Sequence, residues 1–222
     1  ENIVVGNNSS GMMRDRAEMV LRCNRDHKFE YVAGEFGRET FKALLSDGNI
    51  AVIPERQFDD MSILETADLH ICVLSGNYAL SDSTGRCYHI DMENLTLEEV
   101  FTGTDIVSID AFGDECAAVQ KDGTVLYLGD NEELENAVRK WKSITEVRIG
   151  RNFILGLREN GRVLVAGVLY DDPQTGAEIE SWRDICAIAT DDFYGAVGMK
   201  RDGSFVGAGT EYVPTGTYYE TN

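Results

Sequence analysis

Regularly spaced glycine turns are the feature of this sequence that most restricts its fold. Five two-residue turn sequences recur along the 222 residues, and their glycines lie 37, 38, 38 and 42 residues apart: Asp47-Gly48, Thr84-Gly85, Asp122-Gly123, Asn160-Gly161 and Asp202-Gly203. A period of about 20 to 50 residues is typical of propellers and solenoids, in which each repeat is one small structural unit. The chain is therefore predicted to be an array of repeats.

Each turn joins two apolar stretches that fit a β-hairpin. Asn-Gly and Asp-Gly supply the positive φ angles of tight hairpin turns, and flanking β-branched and aromatic residues favour strands. A further strand-like run precedes each hairpin, as DIVSIDAFG precedes CAAVQKDGTVLYLG and SITEVRIG precedes ILGLRENGRVLVAG. Every unit is thus predicted to hold at least three strands, in five units at 29–55, 68–91, 105–129, 144–167 and 185–209.

The rest of the chain is assigned to one incomplete unit, one helix and the connectors. Residues 1–8, ENIVVGNN, match TVLYLGDN at the end of a unit, which predicts a partial N-terminal unit. Residues 12–24 place apolar side chains at helical spacing, which predicts one short amphipathic helix. The acidic connectors are poor in apolar residues and are predicted to be loops or single helical turns outside the core: DMENLTLEEVFTGT, DNEELENAVRK and YDDPQTGAEIES.

Together these elements predict an all-β fold. One unit cannot cover its own apolar faces, so neighbouring units must pack sheet on sheet, as in a propeller or a solenoid. We expect a single β-propeller domain over residues 1–222, with five complete units of about 38 residues and one partial unit. Trp141 and Trp182 occupy the same position in successive units and are expected to wedge between adjacent blades, because large rings bury large areas.

The last two complete units carry one residue pattern twice. Its members in order are Trp141, Ile144, Val147, Gly150, Gly156, Leu157, Gly161, Val163 and Gly167, then Trp182, Ile185, Ile188, Gly198, Met199, Gly203, Phe205 and Gly209. This pattern resembles the repeat of the regulator of chromosome condensation family, and the short period resembles the compact propellers of the β-lactamase inhibitory proteins. The resemblance covers about residues 29–209 and implies a β-propeller. The second unit departs most, since DSTGRCYHI replaces the expected turn and strand.

The charge of the chain restricts its partners. With 39 acidic and 20 basic residues, the formal net charge is −19, which repels nucleic-acid phosphates and anionic membranes. No stretch approaches the roughly 18 apolar residues of a spanning helix, and the first residues show no basic segment followed by an apolar one, so no signal segment is expected. We therefore expect a soluble protein with no nucleic-acid partner and no membrane association.

The cysteines favour a reducing compartment. Their number is odd and their spacing shows no close pairs, which fits reduced thiols and a cytoplasmic protein: Cys23, Cys72, Cys87, Cys116 and Cys186. Three of them fall in the first or second strand of a unit, where alternation is expected to make them small core residues: Cys72, Cys116 and Cys186.

The residue types that carry chemistry form no recognisable site. His27, His70 and His89 are scattered without the spacing of metal ligands, and no Gly-x-Ser-x-Gly elbow occurs. The acidic connector residues lack the alternating pattern of a calcium loop, and they are Asp130, Glu132, Glu133 and Glu135. We therefore expect no catalytic residue, no metal and no cofactor.

These observations favour a non-catalytic propeller that binds a protein partner, as an enzyme inhibitor or an interaction scaffold. In each unit the turn between the first and second strands carries residues that differ from unit to unit, and these are the candidate contacts: Arg38, Glu39, Asn77, Tyr78, Asp114, Glu115, Arg151, Asn152, Phe193 and Tyr194. Tyrosine and phenylalanine are common interface residues because they bury large areas at low entropic cost. A basic partner is expected if the acidic connectors take part.

Two alternative functions stay open on the sequence. An enzyme whose active site lies in the central channel would draw residues from several blades, so its motif would be hidden by sequence order. Guanine-nucleotide exchange is the activity that the resemblance to the regulator of chromosome condensation family implies.

Overall fold

The computed structural model describes residues 29–34, 40–54, 62–81, 84–103, 105–169, 172–190 and 195–209. The predicted partial unit at residues 1–8 and the predicted helix at residues 12–24 lie outside this part of the chain. No helix in the described ranges has the length and apolar character needed to cross a membrane.

Five antiparallel sheets follow one another along the chain, and we call them blades 1 to 5. Blade 1 contains β1 (Phe29–Gly34), β2 (Thr40–Leu45), β3 (Ile50–Pro54) and β4 (Ser62–Leu64). Blade 2 contains β5 (Ile71–Ser75), β6 (Tyr78–Ser81), β7 (Cys87–Asp91) and β8 (Thr96–Val100). A short 3-10 helix, Ala67–Leu69, lies between these two blades.

The last three blades have three strands each. Blade 3 contains β9 (Ile106–Phe112), β10 (Glu115–Gln120) and β11 (Val125–Leu128), and blade 4 contains β12 (Ile144–Gly150), β13 (Phe153–Arg158) and β14 (Val163–Gly167). Blade 5 contains β15 (Ile185–Thr190), β16 (Gly195–Lys200) and β17 (Phe205–Gly209). In every blade each strand pairs with the next one in sequence, so the topology is a repeated meander.

The connectors contain more structure than the predicted loops or single helical turns, and that prediction was wrong. DMENLTLEEVFTGT contributes the edge strand β8, while the other two connectors form α1 (Glu132–Val138) and α2 (Pro173–Ser181). Leu134 and Val138 of α1 lie four residues apart on one helix face and are 1% exposed, and Ile179 of α2 is fully buried. A few apolar residues at the right spacing are therefore enough to attach each helix to the edges of the blades.

Side-chain caps start both helices. The Asn131 side chain accepts hydrogen bonds from the backbone N–H groups of Glu133 and Leu134, at 3.1 and 3.2 Å. The Asp172 carboxylate accepts one from Gln174 at 2.9 Å, and Pro173 occupies the first turn of α2. Such caps satisfy backbone donors that have no partner inside a helix, which stabilises even short helices.

The glycine turns form hairpins, as predicted. In four of them the glycine N–H donates to a carbonyl oxygen three residues earlier, at 2.8 to 2.9 Å, and φ lies between +75° and +85°: Gly48, Gly123, Gly161 and Gly203. Gly85 departs from this geometry, because its N–H donates to Ser81, four residues earlier, at 3.1 Å. The turn of the second unit is therefore one residue longer, which agrees with its divergent sequence.

Four apolar cores lie between consecutive blades and hold the array together. Trp141 packs between Val119 of blade 3 and Ile144 of blade 4, and Trp182 takes the equivalent place between blades 4 and 5, as predicted. The ring of Trp141 covers Gly156 so closely that a Cβ there would lie 2.6 Å from the ring. The tryptophans are 8% and 6% exposed, so they are true wedge residues.

The outward face of blade 5 is more exposed than its equivalents. Leu157 and Val163, a cross-strand pair of blade 4, are 4% and 1% exposed, because blade 5 covers them. The equivalent pair of blade 5, Met199 and Phe205, is 36% and 48% exposed. Among the described residues, no atom lies within 4 Å of the position of a Gly203 Cβ. Positions in the outward face of blade 5 can therefore be compared with the equivalent positions of the earlier blades, which the next blade covers.

Candidate protein-binding face

Three of the loops predicted to carry partner contacts lie in the described part of the chain. They connect the first and second strands of blades 2, 3 and 4, at residues 76–77, 113–114 and 151–152. The first strands of these blades, β5, β9 and β12, pack side by side. Their loops therefore emerge in a row at one end of the blades, and we call this end the loop face.

A half-buried carboxylate links the three blades just below the loop face. The Ser75 hydroxyl of blade 2 donates to Asp110 Oδ1 at 2.8 Å, and Asp110 Oδ2 accepts from the backbone N–H of Ile149 in blade 4 at 2.9 Å. Ser75 Oγ also accepts from the N–H of Ala111 at 2.9 Å. Burial raises the pKa of Asp110, although these hydrogen bonds and the charge of Arg148 oppose the shift.

Sequence analysis missed this link because each residue is ordinary by itself. The only signal was the repeat period, since Ser75 and Asp110 are 35 residues apart and Asp110 and Ile149 are 39 apart. Residues about one repeat apart occupy adjacent blades in such an array. The link fixes the relative positions of the loops without occupying their outer surface.

Tyr78, which the sequence analysis predicts as a partner contact, is buried in the structure. It is 2% exposed, and its hydroxyl donates to the carbonyl oxygen of Asp114 in the neighbouring loop at 2.7 Å. Its ring meets that of His89 edge to face, with centroids 5.2 Å apart. Burial raises the pKa of the Tyr78 hydroxyl. The aromatic residue next to the loop points into the boundary between blades 2 and 3, where it supports the loop face.

Two other predicted contacts are engaged within the protein. Asn77 is half-buried, and its Oδ1 accepts a hydrogen bond from Lys42 Nζ of blade 1 at 2.8 Å. Glu115 is also half-buried, and its Oε1 accepts from the Tyr127 hydroxyl at 2.6 Å. These side chains support the loops through internal hydrogen bonds, so only part of each side chain is accessible to a partner.

The outermost side chains of the described loops are Asp114, Arg151 and Asn152, which are all exposed. Asn152 has φ of +64°, and its carbonyl oxygen accepts from the N–H of Val168 at 3.1 Å. Gly167 approaches this carbonyl so closely that a Cβ would lie 2.0 Å from the oxygen. The 151–152 loop is therefore held rigidly by β14 while its side chains point to solvent. Arg38, Glu39, Phe193 and Tyr194 lie outside the described residues.

The first strand of blade 4 also carries charged side chains below the loop. Arg148 Nη2 lies 2.5 Å from Glu146 Oε1, and the same guanidinium donates to the carbonyl oxygen of Val147 at 2.7 Å. Burial raises the pKa of Glu146, whereas Arg148 and the N–H of Ile188 oppose the shift. These groups are neutralised by one another and join blade 4 to blade 5.

The cysteines divide between the core and the surface. Cys116 is fully buried, as predicted, and so is Cys87, whereas Cys186 is half-buried. Cys72 is exposed, so its prediction as a core residue was wrong. The first strand of blade 2 turns Ile71 and Leu74 inward, which leaves the intervening Cys72 on the outside.

Comparison with solved structures identifies the fold. Prp20p of Saccharomyces cerevisiae superimposes with a TM-score of 0.61 at 13% identity, covering 84% of this chain and 58% of Prp20p. Human WBSCR16 gives a TM-score of 0.61 at 12% identity, covering 78% and 60% of the two chains. The ectodomain of the Physcomitrella patens receptor kinase CR4 gives 0.56 at 15% identity, covering 78% and 49%.

The fold is therefore that of an RCC1-like β-propeller, and the predicted all-β propeller of repeated blades is confirmed. The chain spans 57% to 60% of the length of the yeast and human proteins. No protein-family model and no curated protein sequence matches the chain.

Proposed function

We propose that this chain is a non-catalytic propeller that binds a protein partner through its loop face. The observation that carries the proposal is the row of exposed side chains, Asp114, Arg151 and Asn152, on loops that are joined beneath by Ser75 and Asp110. Rigid placement of variable side chains lowers the entropic cost of binding, which favours recognition of a folded surface.

Propellers of similar fold bind proteins, which supports the proposal. The structure of Prp20p is described together with its binding to Gsp1p and histones, and yeast RCC1 is seen bound by Kap60. For the present chain we propose the same general activity, the binding of a protein, and we place it on the loop face. Inhibition of an enzyme and assembly of a complex are both forms of this activity.

The net charge of the chain favours a partner with basic residues around its contact surface. The net charge of −19 attracts such a protein over distances of about a Debye length, roughly 8 Å in physiological salt. Arg151 lies in the loop beside Asp114, so the partner should also present a carboxylate near the centre of the contact. Opposite charges placed in this way fix the orientation of the complex more than its affinity.

The proposal is tested with a partner captured by the wild-type protein and then purified. Asp114→Ala combined with Arg151→Ala is expected to weaken its binding at least tenfold, as loss of central interface side chains commonly does. The matched control is Glu159→Ala combined with Arg162→Ala, which removes the same two charge types from exposed positions at the other end of blade 4. Equal binding by both double variants, each folded, would exclude the loop face.

A further inference from the structure

The glycine turns of blades 3, 4 and 5 lie in a row at the end of the blades opposite the loop face. In blade 4 the N–H of Glu159 donates to the carbonyl oxygen of Ser143, which directly precedes β12, at 3.0 Å. The equivalent bonds join Lys121 to Asp105 before β9, at 2.8 Å, and Arg201 to Asp184 before β15, at 3.0 Å. Each turn therefore lies where a first strand begins, and these strands pack side by side and end at the loops.

Basic side chains predominate at this end of the three blades. We call the turns 120–124, 158–162 and 200–204, together with Lys142, the turn face. Lys142 belongs to it because its carbonyl oxygen accepts a hydrogen bond from Arg158 Nε at 3.3 Å. The basic residues of the turn face are Lys121, Lys142, Arg158, Arg162, Lys200 and Arg201, and its acidic residues are Asp122, Glu159 and Asp202.

This excess of positive charge is local. The equivalent turn of blade 1 holds Asp47 and no basic residue. The exposed Arg86 of blade 2 lies 3.4 Å from Glu99, so its charge is paired. In a chain with a net charge of −19, the turn face is thus a positive region on an acidic protein.

The basic groups of the turn face are open to a ligand. None of them forms an ion pair with a residue that the structure describes. Lys142 and Arg162 are exposed to solvent. The carboxylate of Asp122, by contrast, accepts a hydrogen bond from the N–H of Thr124 at 2.9 Å, so it is engaged within its own turn. An anionic group that approaches this end of blades 3 to 5 would find unpaired cations.

We propose that the turn face binds an acidic segment of a second protein, at a site separate from the loop face. A guanidinium can hold a carboxylate through two parallel hydrogen bonds, which suits Arg158 and Arg162 to aspartate and glutamate side chains. A protein segment can also place a neutral or basic residue opposite Glu159. A nucleic acid carries a phosphate at every position, so Glu159 and the net charge of −19 disfavour it.

Titration with a defined acidic peptide tests the proposal without any captured partner. The probe is a fluorescently labelled peptide of alternating glutamate and glycine, and its anisotropy is followed as the full chain is added at low ionic strength. We expect saturable binding that weakens as salt is added. Arg162→Glu should weaken it at least about tenfold, because it places a like charge in the site.

Arg86→Glu is the matched control, since it changes the net charge by the same amount at an exposed arginine outside the turn face. It should leave the affinity for the peptide within about twofold of the wild-type value. Lys142→Glu should reproduce the loss seen with Arg162→Glu, and a thermal midpoint near that of the wild-type protein shows that each variant is folded.

Three results would overturn the proposal. The wild-type protein does not bind the peptide, or Arg86→Glu weakens binding as much as Arg162→Glu does. In the third, a thymidine oligonucleotide of the same charge binds the wild-type protein more tightly than the peptide and loses affinity in Arg162→Glu, which would assign the turn face to nucleic acid. None of these results bears on the loop face, whose partner is absent from the titration.

Discussion

The carbonyl oxygen of Gly123, at the hairpin tip of blade 3, accepts a hydrogen bond from the backbone N–H of Ile144, the first residue of β12 in blade 4, at 3.0 Å. The same bond recurs at the preceding and following boundaries, from Ile106 to Gly85 at 2.8 Å and from Ile185 to Gly161 at 3.0 Å. The glycine turn thus has two roles, because it reverses the chain and its carbonyl oxygen also binds the first strand of the next blade.

Adding a methyl group at Gly123 should disturb the contact of this turn with Ser143 and Ile144. Its φ is +79°, and a Cβ would lie 2.8 Å from the Cα of Ser143 in the next blade. Gly123→Ala is expected to cost about 1 kcal/mol for the left-handed backbone and a further 1 to 3 kcal/mol for the overlap. The free energy of unfolding in urea measures the total.

Gly203→Ala is the matched control for Gly123→Ala. Its φ is +83°, but no described atom lies within 4 Å of the added Cβ. It should therefore cost only the backbone contribution, about 1 kcal/mol. Equal losses in the two variants would show that contact with the next blade contributes nothing at Gly123.

A second glycine pair tests the tryptophan wedge. A Cβ at Gly156 would lie 2.6 Å from the Trp141 ring, so Gly156→Ala should destabilise the protein by about 1 to 3 kcal/mol. Gly176→Ala lies inside α2 with its nearest neighbour 3.6 Å away, and should stabilise by about 0.5 to 1 kcal/mol through helix propensity. Thermal melting of both variants gives the signs, and a stabilised Gly156→Ala would refute the close packing of Trp141.

Tyr78 predicts a specific response to alkaline pH. Burial raises its pKa above that of an unfolded tyrosine, so the unfolded chain loses its proton first as the pH rises. This contribution to stability is complete below the ordinary tyrosine pKa of about 10 and is lost above it. Tyr78→Phe removes the ionisable group and should make the fall in stability between about pH 10 and 12 shallower.

The same substitution separates the structural role of Tyr78 from a role in binding. At neutral pH Tyr78→Phe should cost about 1 kcal/mol, because Asp114 loses its hydrogen-bond donor. Urea unfolding across the pH range measures both effects. A pH profile identical to that of the wild-type protein, together with lost partner binding, would show that Tyr78 contacts the partner.

Local signals predicted the repeated hairpins correctly. Asp-Gly and Asn-Gly flanked by apolar runs determine the turn and both adjoining strands through residues that are neighbours in sequence. Helix α1 escaped prediction because only Leu134 and Val138 supply its buried face. The four-residue spacing and the Asn131 cap are present in the sequence, but the prediction relied on the acidic composition of this connector.

The candidate site was less predictable, since it depends on contacts between blades. Tyr78 follows a loop directly, and the sequence cannot distinguish a side chain that points out from one that fills the next boundary. The hydrogen bonds of Asp110 to Ser75 and Ile149 each span about one repeat, so they become visible only when the blades are placed side by side. Asp114 and Arg151 are exposed in their loops, and their role as partner contacts stays a prediction.

Photocrosslinking from the two ends of blade 4 tests the binding proposal most directly. A photoreactive phenylalanine analogue replaces Arg151 on the loop face in one protein and Asn160 in the opposite turn in another, both at exposed positions. With the purified partner that the wild-type protein captures, we predict a covalent adduct from position 151 and none from position 160. An adduct from position 160 alone would contradict the account, because the partner would then bind the opposite end of the blades.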